Sequence, residues 1–497
     1  MLLTERVLRF GNFINESASS SEVKVVVLSG TNKPSKTSKQ FMEVCKKRGL
    51  ECHIINVNNA RIKKIYNGHV IENVQSGEKI QIDPNTTAIV PRRGVISNSH
   101  TISLMRVLED SRYFCVNTID SIEACENKFT TCEIMEAHGL PVPKYALVPD
   151  EKSLDSALEA VGGKFPVVMK LLSGSQGIGV SIVDSYASLK SVYQTIKKLD
   201  SESEILIQEK IDSDFDLRIQ VLIKKLNALD PDEENSVILG SMKRSAVSKD
   251  FRTNYSLGGS VEGYEIDDEL KEIAFKAATA VGCHWCGVDI MIDSKTKKPY
   301  ILEVNASPGT EGISKAIDKP IVDDVINYIT KKSNWAFSNL EVGYLENIKI
   351  PGIGDMVAKF DTGNGAKSCT IHADEITKDG EVLHWKIGDR EFSSDIVGYS
   401  MAEVGDEIDK RPIINLDIEF NAVRVKNVKV SPVDRAEKST PFLVNRAFMK
   451  RLGLIVNPYK AFVATKEPKK GYSPAKAKED VHGGIIFKES KESGKKK

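Results

Sequence analysis

"DIMIDSKTKKPYILEVNASPG", residues 289–309, holds two apolar runs around the polar stretch "DSKTKK". The runs have strand length and the polar stretch has turn composition, so the segment reads as a β-hairpin. Glu303 and Asn305 are two apart on the second run and therefore share a face. Asp289 on the first run can face them across the ladder, giving two carboxylates and one amide oxygen on one surface. Like charges that close repel unless protons or a cation neutralise them. Oxygen-only ligands suit Mg²⁺ held jointly with substrate phosphates. A solvated hairpin face is the alternative.

Upstream, "KFPVVMKLLSGSQGIGVSIV" (164–183) is an apolar strand ending at Lys170, a Gly/Ser-rich loop and a second strand. Loop residues Ser173, Gly174, Ser175, Gln176, Gly177 and Gly179 can turn backbone N–H groups toward phosphate oxygens, with Lys170 as a point charge. No Walker sequence or dinucleotide fingerprint is present, because the loop joins two strands and no Gly-Lys-Ser/Thr follows. "EILIQEKI" (204–211) is a buried strand ending in Glu209 and Lys210, and a carboxylate there can accept from an adenine amine or a ribose hydroxyl.

The segments further out set the organisation. "SEVKVVVLSG", "TSKQFMEVCKKRGL" and "ECHIINV" give strand, helix, strand, which implies a small α/β domain with a parallel sheet. "TTAIVPRRG" repeats the strand-to-loop pattern, and 97–140 reads as two helices stopped at "HGLPVP". Beyond a junction at "WAFSNLEVGYLENIKIPGIGD" helical periodicity fades, and "MVAKFDTG", "EVLHWKIG", "RPIINLDIEF" and "NAVRVKNVKVSPV" read as strands. The expected parts are an extension (1–22), a small α/β domain (23–125), a central α/β domain (126–333), a linker (334–346), a mostly β domain (347–464) and a basic disordered tail (465–497). With 497 residues, several cores are expected. The 69 basic residues against 69 acidic ones give no nucleic-acid signal. Absence of an apolar span of membrane length, of a cleavable signal and of a cysteine framework makes the cytoplasm the expected location. Cys283, His284 and Cys286 in "CHWC" lack a second cysteine pair at zinc spacing and read as core packing.

The stretches "VVMKLLSGSQGIGV", "DFDLRIQVL", "DFRTNYSLGGS", "GVDIMI" and "ILEVNASPGTEGI" together resemble the RimK-type ligases of the ATP-grasp superfamily, over about residues 24–330. That resemblance implies an ATP-grasp fold with a preceding α/β domain. It implies Lys128 and Lys170 as nucleotide-phosphate lysines, Glu209 and Lys210 at the adenine edge, and Asp216 beside the ribose. Asp289, Glu303 and Asn305 would be ligands of Mg²⁺, or of Mn²⁺ in its place, and Arg218 and Arg252 phosphate or acylphosphate contacts. It also implies ATP-driven activation of a carboxylate as an acylphosphate that an amine attacks, with glutamate as donor and a protein or peptide carboxyl terminus, such as that of a ribosomal protein, as acceptor. A homo-oligomer is expected. Arg92 and Arg93 in "VPRRG", with Arg106 behind them, are read as a fork for an acceptor carboxylate, or else as solvated arginines.

In the β domain, "VAKFDTGNGAKSCTIHADEI" (357–376) places Asp361-Thr362-Gly363 after an apolar strand and His372 on the next. Such a turn can hold a carboxylate for activating water, and a plain tight turn is the alternative. With "FLVNRAFMKRLGLIVNP", it resembles the retropepsin-like RimB-type family called ATP-dependent zinc proteases, over about 347–464. This implies Asp361 and His372 as active residues, with Arg446 a further candidate. The chain has Val444-Asn445-Arg446 where that family has Leu-Gly-Arg, and it offers no clear zinc ligand set. The competing reading is a small-peptide or metabolite ligase whose β domain only binds a target.

Overall fold

The computed structural model describes residues 23–31, 33–66, 68–172, 179–223, 236–245, 260–332, 335, 340–404, 407–421 and 423–468. The expected extension and nearly all of the expected tail lie outside them. The chain divides into two compact units, one of residues 1–82, 86–107 and 114–335, the other of 83–85, 108–113 and 336–497.

The first unit starts with the expected parallel sheet. Strand β1 (Lys24–Ser29) lies between β2 (Cys52–Asn56) and β6 (Thr87–Pro91), and β7 (Phe114–Cys115) follows β6. Val25 to Leu28 are fully buried, which is why this run alternates so little. Helix α1 (Lys36–Lys47) is capped by Ser35, whose Oγ accepts from the Ser38 N–H, and buries Phe41 and Cys45. A meander of β3 (Ala60–Ile65), β4 (Gly68–Asn73) and β5 (Lys79–Ile82) precedes β6.

Between 97 and 140 the structure has three helices where two are expected: α2 (Ser99–Asp110), α3 (Ile119–Glu126) and α4 (Lys128–Ala137). The break at Asn127 explains the difference. Asn127 is in extended conformation and ends α3, while its side chain caps α4 through the Thr130 N–H.

Two antiparallel sheets follow. In one, β9 (Val167–Leu171) and β11 (Ile205–Glu209) are flanked by β10 (Val180–Val183) and β8 (Tyr145–Val148), with α5 (Leu154–Ala160) and α6 (Tyr186–Leu199) contributing Leu154, Leu189 and Tyr193 to its core. Gly179 closes the β9–β10 turn at φ +80, and a Cβ there would lie 2.7 Å from Leu171 Cδ1, so only glycine fits. The other sheet has the order β14 (Ser260–Gly263), β13 (Ser236–Ser245), β12 (Phe215–Ile223), β15 (Trp285–Ile292), β16 (Pro299–Asn305). Helices α7 (Asp268–Ala280), α8 (Glu311–Ala316) and α9 (Ile321–Thr330) complete the unit.

The second unit is β-rich. β17 (Leu340–Gly343) and the first two residues of β18 (Leu345–Ile350) fall within the span expected as linker; β18 pairs with β19 (Gly354–Phe360) and buries Leu345, Ile348 and Ile350. The main sheet continues from β19 through β27 (Phe442–Val444), β20 (Cys369–His372), β26 (Val423–Val433) and β25 (Glu407–Phe420) to β24 (Gly398–Val404). A further β18–β25 pairing at Lys349 and Glu419 closes it into a barrel. A second meander, β21 (Glu375–Asp379), β22 (Val382–Ile387) and β23 (Arg390–Asp395), puts Trp385 into the core with Phe360, Phe420 and Phe442. Helix α10 (Arg446–Arg451) and β28 (Leu454–Asn457), which pairs with β17, end the unit. The fully buried Glu346 accepts the N–H groups of Gly343, Val463, Ala464 and Thr465 and so fastens the last described segment.

Among the described residues no helix is long and apolar enough to cross a membrane.

Candidate active site

Strand register builds the charged face. Arg218 on β12 lies opposite Asp289 on β15, which lies opposite Glu303 on β16. Two residues back along β12, Asp216 lies opposite Arg244 on β13. Period-two alternation puts these side chains on one side of the sheet with Asn305, whose partner on β15 is Gly287. A Cβ at Gly287 would stand 3.3 Å from Pro308 and 3.6 Å from Arg218, so the glycine leaves room for the arginine to lie along the strand.

Asp289 is 3% exposed and takes Arg218 Nε and Nη2 at 2.6 Å each and Arg244 Nη2 at 2.7 Å. Burial by itself would raise its pKa, but the two guanidiniums outweigh it and hold the carboxyl well below the usual carboxylate range. Two arginines, Arg244 buried and Arg218 partly buried, thus supply neutralisation that sequence assigned to protons or a metal.

Glu303 differs. Its side chain keeps 43% exposure, and its contact to Arg218 Nη2 is 3.4 Å. Desolvation of the carboxyl end, then the charge of Asp289, raise its pKa above the ordinary range. Asn305 Oδ1 accepts the Ser307 N–H at 2.9 Å, which orients the amide. The residual capacity for a divalent cation therefore sits at Glu303 and Asn305, beside an ionised Asp289. This all-oxygen set fits Mg²⁺.

Lys128 and Lys170 reach the same surface. Lys128 starts α4 and donates to the Leu172 carbonyl at 3.1 Å, and Lys170 donates to Gln208 Oε1 at 2.5 Å. Burial lowers the pKa of both, partly offset by attraction to Glu303. Lys128 and Lys170 place two ammonium charges beside Glu303, an arrangement that suits phosphate binding.

Several expected site residues are placed otherwise. Asp216 is 4% exposed and forked by Arg244 at 2.6 and 2.8 Å, which makes its carboxylate part of the ion network. Glu209 uses Oε1 to accept the Lys144 N–H at 2.8 Å, and Lys210 is exposed, 3.9 Å from Asp212. Arg92 is not an open fork. It is 5% exposed, donates through Nη2 to the carbonyls of Ser307 and Pro308 at 3.3 and 2.7 Å, and lies 4.8 Å from the centre of the Trp285 ring. Burial lowers it to about 9. Arg93 alone of the pair is exposed, and Arg106 pairs with Asp120 and Glu123. Gly174, Ser175, Gln176, Gly177 and Arg252 lie outside the described residues.

Three side chains that sequence reasoning missed hold the ligand strands. Arg244 is one. Asn117, fully buried, donates to the carbonyls of Trp285 and Ala306 at 2.6 and 2.7 Å and accepts the Trp285 N–H. Gln220 donates to the Gly309 carbonyl and accepts from the Trp285 indole. With Arg92 they fix residues 305–309 just past Glu303.

"CHWC" is core, as expected: Cys283, His284 and Cys286 are buried, and His284 Nδ1 bonds the Tyr328 hydroxyl at 2.9 Å.

In the second unit Asp361 follows β19 and its Oδ1 accepts the Gly363 N–H at 2.9 Å. Arg446 lies over the same loop: a Cβ at Gly365 would run into its guanidinium. His372 is elsewhere. Phe360 pairs with Val444 on β27, whereas the His372 N–H bonds the Pro441 carbonyl, so about four rungs, roughly 13 Å, separate the two positions. The His372 ring is engaged by Asp374 at 3.1 Å and by the Arg435 N–H at 3.0 Å. The structure thus sets Asp361 and His372 at different heights along β27. Among the described residues no three His, Cys, Asp or Glu side chains converge to hold a metal, so a zinc centre finds no ligand set there.

Residues 125–329 match the RimK-like ATP-grasp domain. A protein of Maridesulfovibrio salexigens named probable alpha-L-glutamate ligase is 30% identical over 299 residues, 60% of this chain and 92% of its own. One of the same name from Hydrogenovibrio crunogenus is 31% identical over 322 residues, covering 63% and 96%. The solved ATP-grasp ligase PsnB, complexed with a minimal precursor, aligns over 62% of this chain and 99% of its own, at 18% identity and TM-score 0.46. The chain belongs to the RimK-like ATP-grasp family, and its first unit is an ATP-grasp carboxylate–amine ligase at family level.

Proposed function

We propose that the chain uses ATP to join an amino acid, with glutamate the first candidate, to the carboxyl terminus of a peptide or protein. The observation that carries this reading is the rung Arg218–Asp289–Glu303, with Lys128 and Lys170 beside Glu303. A carboxylate becomes a competent acyl electrophile only when one oxygen can leave as phosphate. The γ-phosphoryl group passes from ATP to that oxygen, releasing ADP, and the donor amine then attacks the acyl carbon. Phosphate departs with the carboxylate oxygen and the amine gives up a proton. In transfer, negative charge spreads over the phosphoryl oxygens and needs preorganised positive charge. Lys170 and Lys128 would supply it at the β9 and α4 positions, with Arg252 in the same role and Arg218 held beside them by Asp289. Glu303 and Asn305, with the ionised Asp289 beside them, would hold Mg²⁺, which would supply neutralisation of the phosphate charge.

Incubating the chain with ATP, Mg²⁺, a panel of amino acids and acceptors ending in free carboxylates, including a ribosomal protein, tests this by intact mass. Acceptor masses rising by whole amino-acid residues with ADP release are expected. ADP release without mass gain on any acceptor would count against ligation.

For the second unit we infer a retropepsin-like hydrolase that trims the product, a reading supported by the Asp361 loop under Arg446. A lone aspartate needs a partner, and the distance to His372 leaves a second copy's Asp361 as the candidate. Longer products from Asp361→Asn are expected; unchanged product lengths would favour a target-binding role.

A further inference from the structure

The eight cysteines are free thiols, and three of them converge. Cys125, in the last turn of α3, has its Sγ 3.7 Å from Cys283 Sγ although 158 residues separate them in sequence. Cys283 also bonds Cys286 and the Ser121 side chain. Cys283 and Cys286 are sealed from solvent at 0% exposure, whereas Cys125 is half-buried and is the approach to the cluster. The Ala306 amide, next to Asn305, reaches the Cys125 sulfur. Nothing in the ligase chemistry above uses these thiols, and packing alone does not call for three in contact.

We propose that Cys125 and Cys283 are an oxidant-sensitive modification site, closing to a disulfide when a peroxide enters past Cys125 to reach the pair. The thiolate of the pair attacks one peroxide oxygen and expels hydroxide, leaving a sulfenic acid; the second sulfur then displaces the sulfenic oxygen, which leaves as water. Overall two thiols and one hydrogen peroxide give one disulfide and two waters. The sulfurs must close from 3.7 Å to about 2.05 Å, a movement the half-exposed end of α3 can supply. Burial opposes ionisation of Cys283, but hydrogen bonds from Cys125, Cys286 and Ser121 lower its thiol while the Cys125 thiol is raised, so Cys283 is the sulfur of the pair that ionises more readily.

Placement makes the bond consequential. Cys125 is followed at once by Glu126, Asn127 and Lys128, the end of α3 and the start of α4. Cys283 leads into β15, which contains Cys286 and carries Asp289. A cross-link ties the lysine-bearing helix start to the strand that holds the acidic rung, and ligation slows while the link persists.

The full chain, reduced and freed of reductant, is treated with hydrogen peroxide, capped with an alkylating agent and analysed by intact mass and peptide mapping. Loss of two hydrogen masses and one linked peptide pair containing Cys125 and Cys283 are expected. ADP formation should fall severalfold and return with dithiothreitol, and Cys125→Ser should keep the basal rate, form no link and resist peroxide. Cys125 oxidised to sulfinic acid without a link, a link confined to Cys45–Cys52 or Cys283–Cys286, or equal inactivation of Cys125→Ser would overturn the proposal. The peptide map reads the bond whether or not an acceptor is known, so its failure is separable from failure of the ligase reading.

Discussion

Asp289 and Asp361 are aspartates of the two units, and their surroundings differ in kind. Asp289 lies inside a sheet, with Arg218, Arg244 and Glu303 fixed around it by ladder register. Asp361 lies just beyond a strand, in a loop, and its carboxylate is oriented by the Gly363 amide. The first arrangement is assembled before any substrate arrives, because moving one charge would leave another buried and unpaired. The second has one strong orienting contact and an open side. A preorganised charge network suits phosphoryl transfer; a lone oriented carboxylate suits a site completed by something else.

Removing an acid from each region should sharpen that contrast. Glu303→Ala should cut ADP formation by about 10³-fold or more, the scale of losing several kcal/mol of charge stabilisation. Its fold should survive, because Glu303 is partly exposed and makes only a long contact to Arg218. Circular dichroism alongside ADP assays checks both; undiminished turnover at subsaturating Mg²⁺ would remove Glu303 from the site.

Arg244→Ala addresses the network itself. It strands Asp216 and one side of Asp289 in the interior. Urea unfolding should show a loss of about 3–5 kcal/mol, as for a broken buried pair. Asp361→Asn should stay within about 0.5 kcal/mol, as a change at a partly exposed loop does. Similar values for the two would erase the distinction.

Much of the first region was legible in the sequence and much of its wiring was not. The hairpin could be read because its turn is local and its strands alternate, so Asp289 and Glu303 fell opposite each other as expected. Arg244 was not read, because its pairing with Asp216 depends on the β12–β13 register, which neither strand states by itself. Arg92 looked like a solvent-facing fork because a Pro-Arg-Arg-Gly loop usually is one. What turns it inward is Trp285 and the carbonyls of 307 and 308, some two hundred residues away. In the second unit the strands before Asp361 and His372 were visible, but only the ladder shows that β19 and β20 meet β27 at different heights.

A pH series gives a smaller effect confined to the first region. Burial lowers the pKa of Lys170, so the ammonium is intact below that value and lost above it, earlier than in an ordinary lysine. The KM for ATP should therefore begin to rise at alkaline pH below the usual lysine range near 10.4, by severalfold, and Lys170→Arg should postpone the rise. A wild-type KM flat to the ordinary range would exclude Lys170 as the titrating contact. The smallest expected effect is none: Asp361→Asn should leave ADP formation unchanged while altering product length, and a matching loss of ADP formation would show that the two regions are not separate activities.

The most direct test follows one oxygen atom. With both carboxylate oxygens of the acceptor labelled as oxygen-18, each new amide bond should deliver one labelled oxygen into inorganic phosphate, with one ADP formed, and Glu303→Ala should produce neither. Amide formation with unlabelled phosphate would contradict an acylphosphate made at the Arg218–Asp289–Glu303 rung.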